Sequence, residues 1–399
     1  MAYDVIVVGT RVAGAATAML LARRGLRVLA VDRARFPSDT LSTHQVQPPG
    51  VARLRAWGLL DPLLEAGTPM ARTARFDPGP AVLHGAYPGP DGVLSPRRRL
   101  LDALLLDAAR AAGAEVWEGF AVDGLRFEGG RVTGIEGEAK GGGRREAAAA
   151  VVVGADGKHS TVARAVRARE YRTRPSTSGA LYGYFEGLEL TGGEMYPRPD
   201  RLAGVWPTND GLAVVYLGVP RAQFDAARRR GIPASLDGCG DLGERVAAAR
   251  PAEHVRGTVD LPNTFRVPYG PGWALAGDAG LVMDPITGQG IGNALRDAEA
   301  LAEALAAGLG GAARLPAALR AYHRGRDRER RAMYRITTGM AAFRPDRFGA
   351  LLYRAIAGDP AEVTRFLGAI SGAVPPRDYF NPVNLLGTVT GWRPTPRAA

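Results

Sequence analysis

Apolar runs and helical patterns follow one another closely at the start of the chain. Residues 4–8 read DVIVV and residues 26–32 read LRVLAVD. Short uninterrupted apolar runs of this kind are typical of parallel strands that are buried on both faces. The stretch between them has helical composition and ends near Arg24. This order predicts a βαβ unit at the N-terminus.

The middle of the chain has a different pattern, in which apolar and polar residues alternate. Residues 172–187 and 194–219 are rich in aromatic and β-branched side chains, which predicts antiparallel strands with a hairpin turn at Asn209-Asp210-Gly211. Helical patterns are predicted at 222–230, 241–250, 297–309 and 317–340. The proline-rich end, 375–396, is predicted to be irregular. The fold class expected is therefore α/β (α+β overall).

Composition narrows the class of protein. The 399 residues are 46% hydrophobic and 23% charged, which is typical of a globular chain. The net charge of +11 comes almost entirely from arginine, because Lys140 and Lys158 are the two lysines among 51 basic residues. We interpret this charge as arginine-rich codon usage and expect no nucleic-acid partner.

Other classes are excluded by single features. The one cysteine, Cys239, excludes an internal disulfide framework and a cysteine-based metal cluster, and we expect no metal site. No uncharged apolar run of about 18 residues occurs, so a membrane span is not expected. The first strand begins at once, without a charged leader, and the predicted location is the cytoplasm.

A glycine-rich turn, GTRVAG at 9–14, follows the first strand. Gly9 permits a tight turn, Gly14 permits close packing, and the helix that follows presents free N–H groups to a pyrophosphate. Asp32 ends the second strand, where a carboxylate can accept ribose hydroxyls. The middle glycine of G-x-G-x-x-G is replaced by Arg11, which could bind a phosphate or obstruct it. Alone, this fingerprint leaves an ordinary βαβ turn open.

Two later segments repeat the arrangement of strand, glycine-rich loop and helix. Residues 151–154 lead into Asp156-Gly157, which could equally be a plain turn before a helix. Residues 273–276 lead into Gly277-Asp278 and then into GQGIG at 288–292. Asp278 could hydrogen-bond a polyol, and the amides of the second loop could stabilise negative charge. The alternative is a loop shaped only for packing.

Together the three motifs resemble the FAD-binding fold of the class A flavoprotein monooxygenases, the family of para-hydroxybenzoate hydroxylase. The segment RRLLD at 98–102 also resembles that family's R-x-x-L-D helix start. The resemblance extends over residues 3–335. It implies a Rossmann-like FAD-binding domain at 1–70, 96–170 and 262–335, a substrate-binding β-sheet domain at 71–95 and 171–261, and a helical or irregular tail at 336–399.

The resemblance also implies roles for individual residues. His44 is either an active-site hydrogen-bonding residue or a structural histidine, and Arg33 could stack on adenine or be a plain surface arginine. Catalytic candidates beside the flavin are His44, Tyr184 and Trp206, with Tyr182 nearby; the alternative for the three aromatic residues is simple sheet packing. The implied FAD-binding residues are Gly9, Arg11, Ala13, Gly14, Asp32, Arg33, His44, Gln45, Arg98, Asp156, Asp278, Pro285, Gly288, Gly290 and Ile291.

The function implied is that of a monooxygenase in secondary metabolism, as a monomer or homodimer. NAD(P)H would reduce FAD, and O2 would form a C4a-hydroperoxyflavin that hydroxylates or epoxidises an electron-rich aromatic or polyketide-like small molecule. The main alternative is a reductase or dehydrogenase of the geranylgeranyl reductase type, whose loop also reads D-P-x-x-G-x-G, as residues 284–290 do. A flavin-dependent halogenase is disfavoured, because the chain has no W-x-W and no suitably placed lysine.

Overall fold

The computed structural model describes residues 2–79, 81–311, 313–344 and 347–390. Strands and helices are mixed along the chain, and the predicted fold class is confirmed. In chain order, the strands are β1 (Tyr3–Val8), β2 (Val28–Asp32), β3 (Met70–Ala71), β4 (Thr73–Phe76), β5 (Leu83–Ala86), β6 (Val93–Leu94), β7 (Glu115–Glu118), β8 (Phe120–Glu128), β9 (Arg131–Ala139), β10 (Arg144–Gly154), β11 (Glu170–Arg174), β12 (Ser178–Glu186), β13 (Gly193–Arg198), β14 (Arg201–Pro207), β15 (Leu212–Pro220), β16 (Arg250–Pro251), β17 (Arg256–Thr258), β18 (Asn263–Arg266), β19 (Tyr269–Gly270), β20 (Trp273–Leu275) and β21 (Leu281–Val282). The helices are α1 (Val12–Ala22), α2 (Pro48–Ala56), α3 (Leu60–Glu65), α4 (Arg98–Ala111), α5 (Thr161–Ala165), α6 (Phe224–Arg230), α7 (Leu242–Ala248), α8 (Gly290–Leu309), α9 (Leu315–Met340), α10 (Arg347–Ile356), α11 (Pro360–Ser371), α12 (Pro376–Tyr379) and α13 (Pro382–Thr390).

The first sheet has five parallel strands in the order β20-β10-β1-β2-β7. β19 adds an antiparallel edge, and the β8–β9 hairpin extends from β10. The chain runs from β1 through β2 to β7 on one side and returns to β10 on the other. A ligand crevice is expected at such a switch point, outside the carboxyl ends of β1 and β10.

Two apolar layers cover the first sheet. One is formed with α1, α4, α8 and α9, and includes Met19, Leu105 and Leu301, all fully buried. The other lies under the β8–β9 hairpin and α5, and includes Ile6, Leu29 and Val152. Successive residues of the central strands point to opposite layers, which explains why both faces of these strands are apolar.

The second sheet runs β16-β12-β15-β14-β13-β4-β5, with β17 also paired to β12. Its strands are antiparallel except where β13 meets β4. In β12, Leu181 and Phe185 pack with α6 and α7, whereas Tyr182 and Tyr184 belong to the opposite face. The alternation in the sequence thus arises because successive residues of a strand point to the two faces of the sheet, which different elements cover.

The C-terminal helices cover that opposite face. Ile356 on α10 and Phe366 on α11 are buried in the same apolar cluster as Tyr182 and Trp206. The prediction of an irregular end was wrong for residues 376–379 and 382–390, which form α12 and α13. Each of these helices begins with a proline, which is tolerated in the first turn because no N–H is needed there. Residues 391–396 lie outside the described part of the chain.

Within the described ranges, no helix combines the length and the apolar character that a membrane crossing needs.

Candidate functional site

The turn after β1 requires both of its outer glycines. Gly9 has a φ of +93°, in the region that favours glycine. A Cβ on Gly9 would lie 2.6 Å from the carbonyl oxygen of Ala155, and a Cβ on Gly14 would lie 1.7 Å from the carbonyl oxygen of Gly9. The glycines therefore let α1 and the end of β10 approach the turn closely.

Asp32 holds this turn from the neighbouring strand. Its Oδ2 accepts a hydrogen bond from the backbone N–H of Thr10 at 2.7 Å, and its Oδ1 accepts one from Ala34 at 2.8 Å. Helix α1 has no side-chain cap at Arg11 and no acidic residue in its first turn. Its first N–H groups and the positive end of its dipole are therefore available to an anion.

The arginine in place of the middle glycine is held by α4. Arg11 Nη1 lies 2.6 Å from Asp102 Oδ2, and Arg11 Nη2 donates to Ser38 Oγ at 3.2 Å. Arg98 binds the same carboxylate with two hydrogen bonds of 3.0 Å. Asp102 is fully buried, so the two guanidinium groups neutralise an otherwise uncompensated charge.

Asp156 lies at the second motif with one oxygen occupied. Its Oδ2 accepts hydrogen bonds from the backbone N–H groups of Thr161 and Val162, at the start of α5. Its Oδ1 is buried and, among the described residues, has no hydrogen-bond partner. Burial raises the pKa of the Asp156 carboxyl above its ordinary value. A buried oxygen without a partner is unusual and marks a place where a ligand group can bind.

Gly277 and Asp278 lie at the end of β20. A Cβ on Gly277 would lie 2.8 Å from the Cβ of Ala13, so the third motif touches the helix of the first. Asp278 is exposed to the crevice, although protein surrounds it on most sides. The surrounding protein raises the pKa of the Asp278 carboxyl to about 6 by desolvation, and the Arg98 guanidinium opposes this shift.

His44 is fully buried and has a φ of +65°, which is rare for a residue with a side chain. Its Nε2 lies 2.6 Å from the Tyr184 hydroxyl, whereas its Nδ1 is buried without a hydrogen-bond partner in the described structure. Burial, together with the charges of Arg98 and Arg97, lowers the pKa of the His44 imidazole to about 3. His44 is therefore a neutral imidazole at physiological pH.

Tyr184 connects His44 to a charged group. The guanidinium of Arg97 lies 3.9 Å from the centre of the Tyr184 ring, within the range of a cation–π contact. Burial raises the pKa of the Tyr184 hydroxyl, so this group keeps its proton. His44, Tyr184 and Arg97 thus form one contiguous cluster beside the crevice.

The loop before α8 is shaped by Gly288, which has a φ of +61°. A Cβ there would lie 2.0 Å from Gln45 Oε1, and this oxygen accepts a hydrogen bond of 3.1 Å from Gln47 Nε2. Helix α8 then starts at Gly290 without a side-chain cap, and a Cβ on Gly290 would meet open space. A second helix N-terminus therefore opens onto the same region.

A cavity of about 730 Å³ adjoins this loop and lies between the second sheet and the C-terminal helices. Its walls near the loop include Gln45, Gln47 and Pro285. Aromatic and aliphatic side chains form most of the remaining wall: Phe76, Tyr87, Met195, Leu202, Trp206, Tyr216, Ile336, Met340, Phe343, Tyr353, Phe366, Ile370 and Phe380. A volume of this size suits one small-molecule ligand of several rings.

Most of the residues that the motifs singled out lie at this crevice, but the aromatic candidates do not all lie in one place. Arg33 is exposed next to Asp32. Trp206 lines the cavity, whereas Tyr184 contacts His44 instead. Ile291 is buried at the start of α8. The Tyr182 ring also packs against His44, with 5.4 Å between the ring centres, so the three aromatic candidates divide between the cavity wall and the His44 cluster.

Sequence reasoning missed several residues of the site. Gln47 orients Gln45, and Thr337 on α9 bonds the loop residue Thr287 at 2.7 Å between their hydroxyl oxygens. Phe343 and Phe366, in the C-terminal region, line the cavity. The amphipathic pattern of residues 347–371 was the available signal, because such a pattern predicts helices that pack on an apolar surface.

These features fit an extended dinucleotide cofactor. Two uncapped helix N-termini, a carboxylate at the end of β2 and another at the end of β20 lie along one crevice. The buried Oδ1 of Asp156 and Nδ1 of His44 have no partner among the described residues, so a ligand can supply one.

Comparison with known proteins agrees with this geometry. A family model described as an FAD binding domain matches residues 2–231 and 266–337. The chain is 30% identical over 305 residues to the digeranylgeranylglycerophospholipid reductase of Methanocella arvoryzae, which covers 73% of this chain and 74% of that protein. It is 28% identical over 339 residues to the kynurenine 3-monooxygenase of Salinispora arenicola, which covers 76% of this chain and 72% of that protein.

Among solved structures, the flavin-dependent brominase Bmp2 has a similar fold, with a TM-score of 0.82. The two chains are 18% identical, and the similarity covers 98% of each. The resemblance expected from the three motifs is confirmed. The chain belongs to the FAD binding domain family of the class A flavoproteins and is an FAD-dependent oxidoreductase.

Proposed function

We propose that this protein is a monooxygenase that uses NAD(P)H and O2 to hydroxylate or epoxidise an electron-rich aromatic or polyketide-like molecule. The observation that carries the proposal is the cavity of about 730 Å³, whose wall includes eight aromatic side chains and which adjoins the loop from Pro285 to Gly288. Aromatic walls bind flat electron-rich rings by stacking and edge-to-face contacts. The C-terminal helices form one wall of the cavity and shield part of it from water, which oxygen transfer requires.

The cofactor would lie along the crevice of the first sheet. We assign the pyrophosphate to the N-terminus of α1 between Gly9 and Gly14, the adenosine ribose to Asp32, and the ribityl chain to Asp278. FAD, when bound, supplies the two-electron redox chemistry and the activation of O2. Asp278 is ionised above a pKa of about 6, so it accepts hydroxyl hydrogen bonds at neutral pH.

We propose that His44 positions the reacting end of the cofactor. Its imidazole is neutral, and the Tyr184 hydroxyl fixes Nε2 at 2.6 Å. When the Tyr184 hydroxyl donates a hydrogen bond to Nε2, the ring proton lies on Nδ1, the buried nitrogen that has no partner among the described residues and can donate to the cofactor. Arg97 over the Tyr184 ring then holds the pair in place.

The test is the stoichiometry of NADPH, O2 and product. Purified holoenzyme is incubated with a panel of phenols and polyphenolic aromatic compounds, while NADPH absorbance and O2 concentration are recorded together. A monooxygenase consumes one O2 per NADPH, and its product contains one oxygen atom more than the substrate. NADPH oxidation that continues under nitrogen, with an organic substrate instead of O2 as the electron acceptor, would contradict the proposal.

A reductase is the second candidate, because a digeranylgeranylglycerophospholipid reductase matches nearly three quarters of the chain. The apolar cavity would in that case hold an isoprenoid chain rather than a ring system. The two candidates differ in their need for O2. Hydrogen added to a prenyl double bond under nitrogen, with no oxygen in the product, would identify the reductase.

The third alternative, a flavin-dependent halogenase, has less support. Lys158 forms an ion pair with Asp260 at 2.9 Å, and Lys140 is exposed. Neither lysine belongs to the described lining of the cavity. Bromide- or chloride-dependent product formation in the same panel would favour this alternative.

A further inference from the structure

The cavity beside the flavin-binding crevice carries a one-sided charge. Four arginines lie in its described lining, Arg198, Arg201, Arg335 and Arg344, whereas none of the described lining residues is acidic. The chain as a whole contains 40 acidic residues for 51 basic ones, so the imbalance in the cavity exceeds that of the whole protein. An apolar wall with unbalanced positive charge favours ligands with an anionic group.

Two of the four arginines are already neutralised by the protein. Arg198 lies 3.3 Å from Asp77 Oδ1 and donates to the backbone carbonyl of Gly238. Arg201 pairs with Asp200 at 2.8 Å and donates to the carbonyl of Ser235. Both side chains are thus held in the wall by partners within the protein, although Arg198 shares Asp77 with Arg75.

Arg335 and Arg344 differ from that pair. Both are exposed, and in the described part of the chain neither side chain has a hydrogen bond or an ion pair. Arg335 lies in the last turns of α9, and Arg344 follows the end of that helix. Between them, Ile336, Met340 and Phe343 present an apolar surface to the same cavity.

The segment that carries these arginines is fastened to the rest of the site. The Thr337 hydroxyl lies 2.7 Å from the Thr287 hydroxyl, next to the loop of Pro285 and Gly288. The Thr177 hydroxyl donates to the carbonyl oxygen of Ala341 at 2.8 Å, which ties the turn after α9 to the start of β12. The backbone next to Arg335 is therefore held in place before binding, and Arg344 follows three residues after the second contact.

We propose that the substrate is an amphipathic anion: an apolar ring system that enters the aromatic cavity and an oxyanion, such as a carboxylate, that Arg335 and Arg344 bind. This proposal rests on the proposed function, since it assumes that the cavity is the substrate site. Arg335 and Arg344 are specificity-determining residues, and their guanidinium groups pair with an oxyanion in a forked geometry.

The experiment measures equilibrium binding of two matched probes to the holoenzyme by dialysis, without NADPH. The probes are anthracene-2-carboxylate and anthracene-2-carboxamide, which share a ring system and differ in charge. We expect the carboxylate to bind about tenfold more tightly, because charge-assisted hydrogen bonds are stronger than neutral ones. Arg335→Gln and Arg344→Gln should each weaken carboxylate binding severalfold and leave carboxamide binding unchanged.

The control is Arg331→Gln, one turn before Arg335 on the same helix. Arg331 is exposed and lies outside the described lining of the cavity. The control has the same change of net charge and should bind the carboxylate as the unsubstituted protein does. Equal binding of the two probes, equal losses in the control, or no carboxylate binding at millimolar concentration would each overturn the proposal.

Failure of this proposal and failure of the proposed function are separate results. The dialysis uses neither O2 nor NADPH, so a charge preference can be found even if the enzyme is a reductase. Conversely, O2-dependent product formation from uncharged aromatic compounds, with no effect of Arg335→Gln, would retain the monooxygenase and remove the anion site.

Discussion

Asp278 is the residue whose removal should be felt most directly in cofactor binding. Its carboxylate faces the crevice at the end of β20 and is proposed to accept the ribityl hydroxyls. Asp278→Ala should weaken FAD affinity about 10- to 100-fold, since hydrogen bonds to a charged group are lost. The measurement is a fluorescence titration of deflavinated protein with FAD. Asp107→Ala, on the exposed side of α4, is the control, and unchanged affinity in Asp278→Ala would remove this assignment.

The binding of FAD should also depend on pH through the protonation of Asp278. The pKa of Asp278 is raised to about 6, so the carboxylate takes up a proton as the pH falls through that value and loses acceptor capacity. FAD affinity should therefore decrease below pH 6 in the unsubstituted protein. Asp278→Asn cannot titrate and should show a weaker dependence. A parallel decrease in both proteins would assign the effect to another group.

Arg11 stands where the dinucleotide fingerprint has glycine, and its contact with Asp102 suggests that it stabilises the fold. Arg11→Gly should restore the fingerprint without improving FAD affinity. It should reduce the free energy of unfolding by about 1–3 kcal/mol, because a buried carboxylate loses one of its two partners. Arg11→Ala separates this loss from the effect of glycine on the backbone. A marked gain in FAD affinity on titration would instead show that Arg11 obstructs the phosphate site.

The titration of His44 should make the free energy of unfolding decrease as the pH falls. The pKa of His44 is about 3 in the folded protein and about 6.5 in an unfolded chain. As the pH falls below 6.5, the unfolded state takes up a proton that the folded state does not, so stability is lost. The contribution of the neutral His44 to the free energy of unfolding is complete above pH 6.5. Below that pH it declines by up to about 1.4 kcal/mol per pH unit.

His44→Asn is the variant of choice, since asparagine tolerates the left-handed backbone that His44 adopts. Urea unfolding at pH 7.5 and 5.0 should show a difference in free energy between the two proteins that shrinks or reverses at pH 5.0. A difference that stays constant would mean that His44 is not held neutral. The same variant should release more H2O2 per NADPH than Tyr184→Phe, which keeps the imidazole.

At the scale of elements, we predict that the C-terminal helices are an integral part of the fold, because they pack against the second sheet beside the cavity. Phe366 on α11 is buried and makes edge-to-face contacts with Phe76 at 5.1 Å and Tyr353 at 5.7 Å. Phe366→Ala should lower the free energy of unfolding by about 3–5 kcal/mol. The exposed Val383→Ala is the control, with a change within about 0.5 kcal/mol. Both are measured by chemical denaturation, and a Phe366→Ala protein as stable as the control would contradict this packing.

The elements that could be predicted were those with a local signal. The first strand, α1 and β2 follow from apolar runs and a glycine-rich turn within about thirty residues. The hairpin between β14 and β15 follows from alternation and from Asn209-Asp210-Gly211. The contact between Arg11 and Asp102 joins residues 91 positions apart, and no local pattern encodes it. The amphipathic pattern of residues 347–371 predicts helices, but which surface Phe366 packs against depends on contacts distant in sequence.

At the scale of the whole molecule, the crevice and the cavity are formed by different sheets. The crevice and the two helix N-termini lie at the first sheet, and the second sheet and the C-terminal helices form the walls of the cavity. Gln45 belongs to both, since it touches the loop at Gly288 and lines the cavity. The domain boundaries that follow from the motif order stay a prediction. So do the NAD(P)H dependence and the oligomeric state.

The most direct test of the central claim is the origin of the oxygen in the product. Holoenzyme, NADPH and a turned-over aromatic substrate are incubated under 18O2 and, in parallel, under 16O2 in H2 18O, with product mass recorded. We expect one 18O atom per product molecule from the gas and none from water. A product that forms equally under nitrogen, or that carries no 18O from the gas, would contradict the assignment as a monooxygenase.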